Sequence, residues 1–192
     1  MLIKRWKKKR KPARNEDAME EKTIENLLTL EFITKKQNVV ITGSAAAGKT
    51  RLSEALESLA RKAGFKTSFF WVPDLLKTLG NRKDYAQYGK AMKHMEKAHF
   101  VILDEFGYIP MTKQQSEDLY NFMAEALQDK SVLINTISKL SEWEKMIPDT
   151  VLAAAFVSRC THNCIYVHLT GREKRNLKRL NRKTEKSADE QR

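Results

Sequence analysis

The chain has 192 residues, 41% of them hydrophobic, which is enough for one buried core with tails. Its apolar runs, such as Val151–Val157, fall far short of the ~20 residues that span a bilayer. Met1-Leu2-Ile3 passes straight into Lys4 and Arg5 without the apolar stretch of a secretory signal. Together these predict a cytoplasmic protein. The formal net charge of +12 is concentrated at the ends: residues 1–14 carry eight Lys or Arg and no acid, and residues 171–192 carry nine against four acids. Such ends suit the phosphates of DNA or RNA, with a merely solvated tail as the alternative.

In chain order, residues 1–15 lack hydrophobic periodicity, contain Pro12 and are predicted to be a disordered basic tail. A helix over Ala18–Thr34 follows from Ile24, Leu27, Leu28 and Phe32 at three- and four-residue steps. Five short runs rich in β-branched or aromatic residues then alternate with helical stretches: Asn38–Thr42, Thr67–Val72, Phe100–Asp104, Val132–Thr136 and Cys164–Leu169. That alternation predicts an α/β fold, a five-stranded parallel sheet sandwiched between helices. The helix after the first run shows Leu52, Ala55, Leu56, Leu59 and Ala63 on one face and stops at Gly64. Capping-box spacing marks further starts at Thr112 with Gln115 and at Ser141 with Glu144, and Pro73-Asp74 opens another helix. Phe69, Phe70 and Trp71 read as the filling of a strand buried on both faces rather than as a base-stacking platform. Cys160 and Cys164, with His162 between them, are one ligand short of a tetrahedral zinc site, and a cytosolic chain keeps its thiols reduced. The four histidines form no ligand set.

Gly43-Ser44-Ala45-Ala46-Ala47-Gly48-Lys49-Thr50 matches GxxxxGKT in full, between a strand and an amphipathic helix. Small residues let backbone N–H groups close around phosphates, and the helix start favours negative charge. Lys49 would reach the β- and γ-phosphates, and the Thr50 hydroxyl is placed to ligate Mg²⁺. Arg51, next along, completes the candidate nucleotide-binding set. The apolar run Phe100-Val101-Ile102-Leu103 ends in Asp104 and Glu105, as a buried parallel strand does when it presents acids at its carboxyl edge, where ligands bind in open α/β sheets. Asp104 would hold the Mg²⁺ and Glu105 would polarise a water attacking the γ-phosphate.

From Asn38 to Gly171 the chain resembles the ATPase domain of the IstB-like transposition helpers and the related DnaC-type helicase loaders, both of the AAA+ P-loop class. The resemblance rests on GSAAAGKT, on VILDEFGYIP from Val101, on SEWEKMIPDTVLAAAF from Ser141, and on a closing strand followed by Gly171. It implies an AAA+ ATPase domain over residues 16–171, followed by a basic tail over 172–192. It further implies an ATP-dependent homo-oligomer that binds DNA and assists a transposase or a replicative helicase. A neighbouring subunit's arginine reaches the γ-phosphate in such proteins, and Arg159 stands at the matching position. An intramolecular salt bridge is the alternative use of that guanidinium. Lys83, Lys90 and Lys93 lie where loaders carry a DNA-facing helix, although the interspersed Asp84 and Glu96 equally suit a solvated face.

Two departures qualify the resemblance. Relatives place a polar residue, often Asn, at the end of the fourth strand to orient the attacking water, whereas the matching position here is Ile137. Asn135 and Thr136 are the nearest polar substitutes, and without one of them ATP would bind with little hydrolysis. Relatives also carry a partner-binding domain ahead of this one, in place of which the chain has its basic tail and one helix, as a truncated homologue or the remnant of a mobile element would. A small-molecule kinase is a third reading, but it needs an Arg-rich lid that Gly107–Lys130 does not supply.

Overall fold

Residues 22–81 and 85–170 are described by the computed structural model. Helix α1 (residues 22–27) and a single turn α2 (Glu31–Thr34) lead into β1 (Asn38–Gly43). Then come α3 (Lys49–Lys62), β2 (Thr67–Trp71), α4 (Val72–Gly80), α5 (Tyr85–Lys97) and β3 (Phe100–Phe106). The chain continues through α6 (Lys113–Asp129), β4 (Ser131–Thr136), α7 (Leu140–Met146), α8 (Thr150–Thr161) and β5 (Cys164–Leu169). All pairings are parallel, and the strand order is β2-β3-β4-β1-β5. The expected five-stranded α/β sandwich is therefore the observed fold.

Alternate residues of the central strands enter two separate cores, which is why these strands read as unbroken apolar runs. Val40, Val101, Leu103, Val132 and Ile134 face α4 to α8, with Leu76, Phe122, Trp143 and Phe156 packed on them. Val39, Ile41, Phe100, Ile102 and Leu133 face the other way, beneath Leu27, Phe32, Leu52 and Leu56. Among the described residues no helix is long and apolar enough to cross a membrane.

Several expectations need correction. The single helix over Ala18–Thr34 is interrupted within its described part, because Leu30 adopts a left-handed φ of 62° between α1 and α2. Thr29 Oγ1 donates to the Asn26 carbonyl at 2.7 Å, a local bond that competes with helix continuation. The break lets Leu27, Leu30, Phe32 and Ile33 all bury, which one straight helix could not do. In α3 the buried face runs through Leu52, Ala55, Leu56 and Ala60, while Leu59 is half-buried and Ala63 exposed; Gly64 does end it, at φ 87°. The Thr112–Gln115 box forms as expected. That of Ser141 with Glu144 does not: α7 begins at Leu140, and Glu142 Oε2 accepts the Lys139 backbone N–H at 2.9 Å.

Strand ends shift slightly, β3 running on to Phe106 and β2 stopping at Trp71 because Pro73 belongs to the first turn of α4. The sequence predicts a strand covered on both faces for Phe69, Phe70 and Trp71. Instead β2 is an edge strand, where Phe70 packs edge-on to Phe122 but Trp71 is 44% exposed beneath Lys77. Lys90 and Lys93 are exposed, which a solvated face and a DNA-facing helix both require. The proposed tails over 1–15 and 172–192, and Lys83 and Asp84, lie outside the described residues.

Candidate nucleotide site

The sheet brings the two sequence motifs together at its carboxyl edge. Gly43 ends β1 with φ 150°, and a Cβ there would overlap the Leu169 carbonyl oxygen of β5, so the turn into the loop demands glycine. Gly48, at φ 108°, occupies the N-cap of α3 with no side-chain cap, and the first turn of α3 holds no acid. The helix thus starts with unused N–H donors and no competing anion, the arrangement that receives phosphate.

Ala45, Ala46, Gly48, Lys49, Thr50 and Arg51 all border one cavity of about 530 Å³, together with Asp104 and Glu105. Gly43 and Ser44 border a neighbouring pocket, and Ala47 is buried beneath the loop. Lys49 Nζ donates to the carbonyls of Gly43 at 2.9 Å and Ser44 at 3.1 Å, which folds the side chain back along the loop. Its pKa is lowered because partial burial disfavours the ammonium, against the opposing pull of Asp104 and Glu105.

Two adjacent residues of a regular strand point to opposite faces, yet Asp104 and Glu105 border the same cavity. The reason is an irregularity: the β3–β4 register shifts between Leu103 and Phe106, and Glu105 sits at φ 61°. A bulge of this kind turns the second side chain toward the first. Asp104, 5% exposed, is fixed through Oδ1, which accepts the Glu105 backbone N–H at 3.1 Å and the Asn135 amide at 2.9 Å. Asn135, fully buried in β4, also donates to Ser53 Oγ at 2.6 Å, and Ser53 in turn donates to the Lys49 carbonyl at 3.2 Å. A chain of hydrogen bonds therefore ties the carboxylate to the first turn of α3.

Of the two polar residues beside Ile137, Asn135 turns inward onto Asp104. Thr136 borders the cavity, with its hydroxyl accepting the Ser138 N–H at 3.0 Å. Ile137 itself is 52% exposed and borders the cavity as well. Arg159 does not line this cavity in its own chain; it is exposed in the last turn of α8, with Cζ 5.2 Å from the Tyr120 ring centre. Ser53 supports the site without having been singled out, and Phe106 and Tyr108, quoted only as part of the VILDEFGYIP string, border the cavity. Ser53 carried a signal, a hydroxyl set within the apolar face of an amphipathic helix, where a buried polar group needs a partner.

Among the described residues no cluster of histidine, cysteine and acid groups could hold a metal by itself. Cys160 and Cys164 are free thiols; burial raises the pKa of both, that of Cys164 to about 11, so both stay protonated and act as small apolar residues.

A parallel sheet of this order, with a GxxxxGKT loop after β1 and paired acids near the carboxyl end of β3, is the P-loop fold of AAA+ type. The solved DnaC helicase loader shares the fold, with a TM-score of 0.67 at 17% identity over 87% of this chain and 99% of that one. Residues 13–183 match the family described as IstB-like ATP binding protein, and the chain belongs to that family. Its relatives include a protein of insertion sequence IS5376 from Geobacillus stearothermophilus named for ATP binding, 31% identical over 82% of this chain and 65% of that protein. Another, from insertion sequence IS21 of Pseudomonas aeruginosa and also named for ATP binding, is 26% identical over 90% of this chain and 67% of that protein. The chain thus spans about two thirds of these relatives' length.

Proposed function

We propose that this chain binds Mg-ATP in the cavity between the Gly43–Thr50 loop and Asp104–Glu105, and hydrolyses it to ADP and phosphate. In this reading the nucleotide state governs assembly into an oligomer and contact with DNA, in the service of a transposase. A replicative helicase is the other client suggested by the shared fold with the helicase loader. The observation that carries the reading is the convergence of Lys49, Asp104 and Glu105 on one cavity, and the family's ATP-binding description and the insertion-sequence relatives support it.

Loop and helix N–H groups would cradle the phosphates, and Lys49 would leave its carbonyl partners for the β- and γ-phosphates. The Thr50 hydroxyl and the Asp104 carboxylate are hard oxygen donors that suit Mg²⁺, and Asp104 is already oriented by Asn135. When bound, that ion supplies positive charge to the phosphate oxygens. Glu105 would accept a proton from the attacking water, and Arg159 of a neighbouring copy would stabilise charge developing on the γ-phosphate. The exposure of Arg159, away from its own cavity, leaves it available for that role in trans.

A second reading is a nucleotide-gated binding module with little hydrolysis, which the half-exposed Ile137 side chain at the cavity wall favours. One experiment separates the two: titration with ATP alongside steady-state hydrolysis, with and without single-stranded and duplex DNA. DNA-stimulated turnover is expected. Binding without turnover would establish the gated module, and absence of binding would remove both.

A further inference from the structure

A second pocket of about 400 Å³ lies between the carboxyl ends of β1 and β5, bordered by Gly43 and Ser44 of the phosphate loop. Thr42, 3% exposed, organises it: its hydroxyl is 2.9 Å from Tyr166 Oη and 2.9 Å from His168 Nδ1. A hydroxyl has one proton and two acceptor sites, so Thr42 can bond to both rings at once. Tyr166 and His168 are thereby held side by side on the exposed face of an edge strand.

The other polar groups of the wall are the Ser44 hydroxyl and the Lys139 ammonium, and among the described residues no carboxylate lines it. Its volume falls within the roughly 300–1,000 Å³ typical of ligand sites. Hydroxyl, imidazole and ammonium groups without an acid favour an anion. Tyr166, 46% exposed, offers an aromatic ring of the kind on which an unstacked base rests, with the apolar Ile137 and Leu140 lining the same pocket. Residues 171–192, which follow β5, carry nine Lys or Arg against four acids. Like charge makes that segment a poor occupant of this pocket and a good companion to a polyanion.

We propose that this pocket is a nucleotide subsite for single-stranded nucleic acid, taking a phosphodiester on Lys139, His168 and Ser44 and a base against Tyr166. Duplex DNA keeps its bases stacked and would leave the tyrosine unused, whereas a single strand offers both groups. The inference gives the DNA contact of the preceding section a built location, and it does not depend on ATP turnover. Ile137 borders both this pocket and the nucleotide cavity, so a strand seated here lies directly beside the phosphate loop.

The test is fluorescence anisotropy of the full chain with a labelled oligothymidylate, with binding of a fluorescent ATP analogue measured in parallel. Tyr166→Ala and the double variant Lys139→Ala/His168→Ala should each weaken single-strand binding about tenfold. Removing Lys139 should also reduce the slope of log affinity against log salt by about 0.7. Duplex and ATP-analogue affinity should stay within about twofold of the parent in both variants. Thr42→Val, which frees both rings without removing a charge, should weaken the single strand less than Tyr166→Ala does. Unaltered melting temperatures would show that the fold is retained. Single-strand affinity unchanged in both principal variants overturns the subsite. If neutralising the eight cations of residues 1–14 then abolishes binding, the contact lies in that tail and the broader DNA reading survives. Parallel loss of ATP-analogue binding would instead assign the pocket to bound ATP, and that too overturns the proposal. A parent chain that binds no nucleic acid would remove the subsite and the DNA reading together.

Discussion

Lys49 and Asp104 border one cavity, and each is held by partners that ATP and Mg²⁺ would use or displace. Charge-assisted hydrogen bonds contribute about 1.5–3 kcal/mol each, so Lys49→Ala should weaken ATP roughly 10- to 150-fold in a binding titration. Undiminished affinity would sink the phosphate-loop assignment. Asn135 makes a subtler claim. Asn135→Ala removes the amide that orients Asp104 and leaves Ser53 without its donor. The Mg²⁺ concentration needed for half-maximal ATP-analogue binding should therefore rise several-fold, while binding measured at saturating Mg²⁺ recovers. An unchanged Mg²⁺ requirement would make Asn135 a core residue only. The lysine and the acid were legible because their motifs are local strings. Asn135 was visible as a polar residue near the site, but its partner lies 31 positions away in sequence, and no local pattern encodes that pairing.

Helices and strands differ in how far their own residues determine them. At Thr112 the cap is local and reciprocal: Thr112 Oγ1 accepts the Gln115 N–H at 3.2 Å, and Gln115 Oε1 accepts the Thr112 N–H at 3.0 Å. Thr112→Ala should cost about 1 kcal/mol in urea unfolding, with the denaturant dependence unchanged. A loss near zero would mean that burial of α6 alone fixes its start. For α7 the matching spacing at Ser141 and Glu144 misleads, because packing sets the start. Trp143 is fully buried 4.6 Å from the Phe106 ring, and Ile147 is 4% exposed. Those contacts fix the helix phase, and Lys139 takes the N-cap. The bulge at Asp104 and Glu105 was equally hidden, since a run of alternating faces says nothing of where the ladder slips. Alternation of strand and helix does establish a parallel sheet. It does not say that β2 is an edge strand, and so it could not foresee the exposed Trp71.

At the scale of the molecule, the question is whether one chain holds a complete catalytic set. Phe106, directly after Glu105, stacks on Phe156 of α8 at 5.3 Å, and Arg159 lies one turn further along that helix. A rigid aromatic core therefore connects the cavity wall to an arginine that the cavity of its own chain does not use. If Arg159 serves a neighbour's γ-phosphate, Arg159→Ala and Glu105→Gln should each suppress hydrolysis alone, with ATP binding preserved in Glu105→Gln. Mixed in equal amounts, they should regain activity, because in head-to-tail assembly roughly a quarter of the interfaces pair an intact Glu105 with an intact Arg159. Recovery requires assembly, so it should grow with protein concentration and vanish on dilution. Recovery that persists in dilute solution would point to an assembly too tight to dissociate on dilution. No recovery at any concentration, with both variants folded, would leave Arg159 as a side chain resting on Tyr120 and return the charge on the γ-phosphate to Lys49 alone.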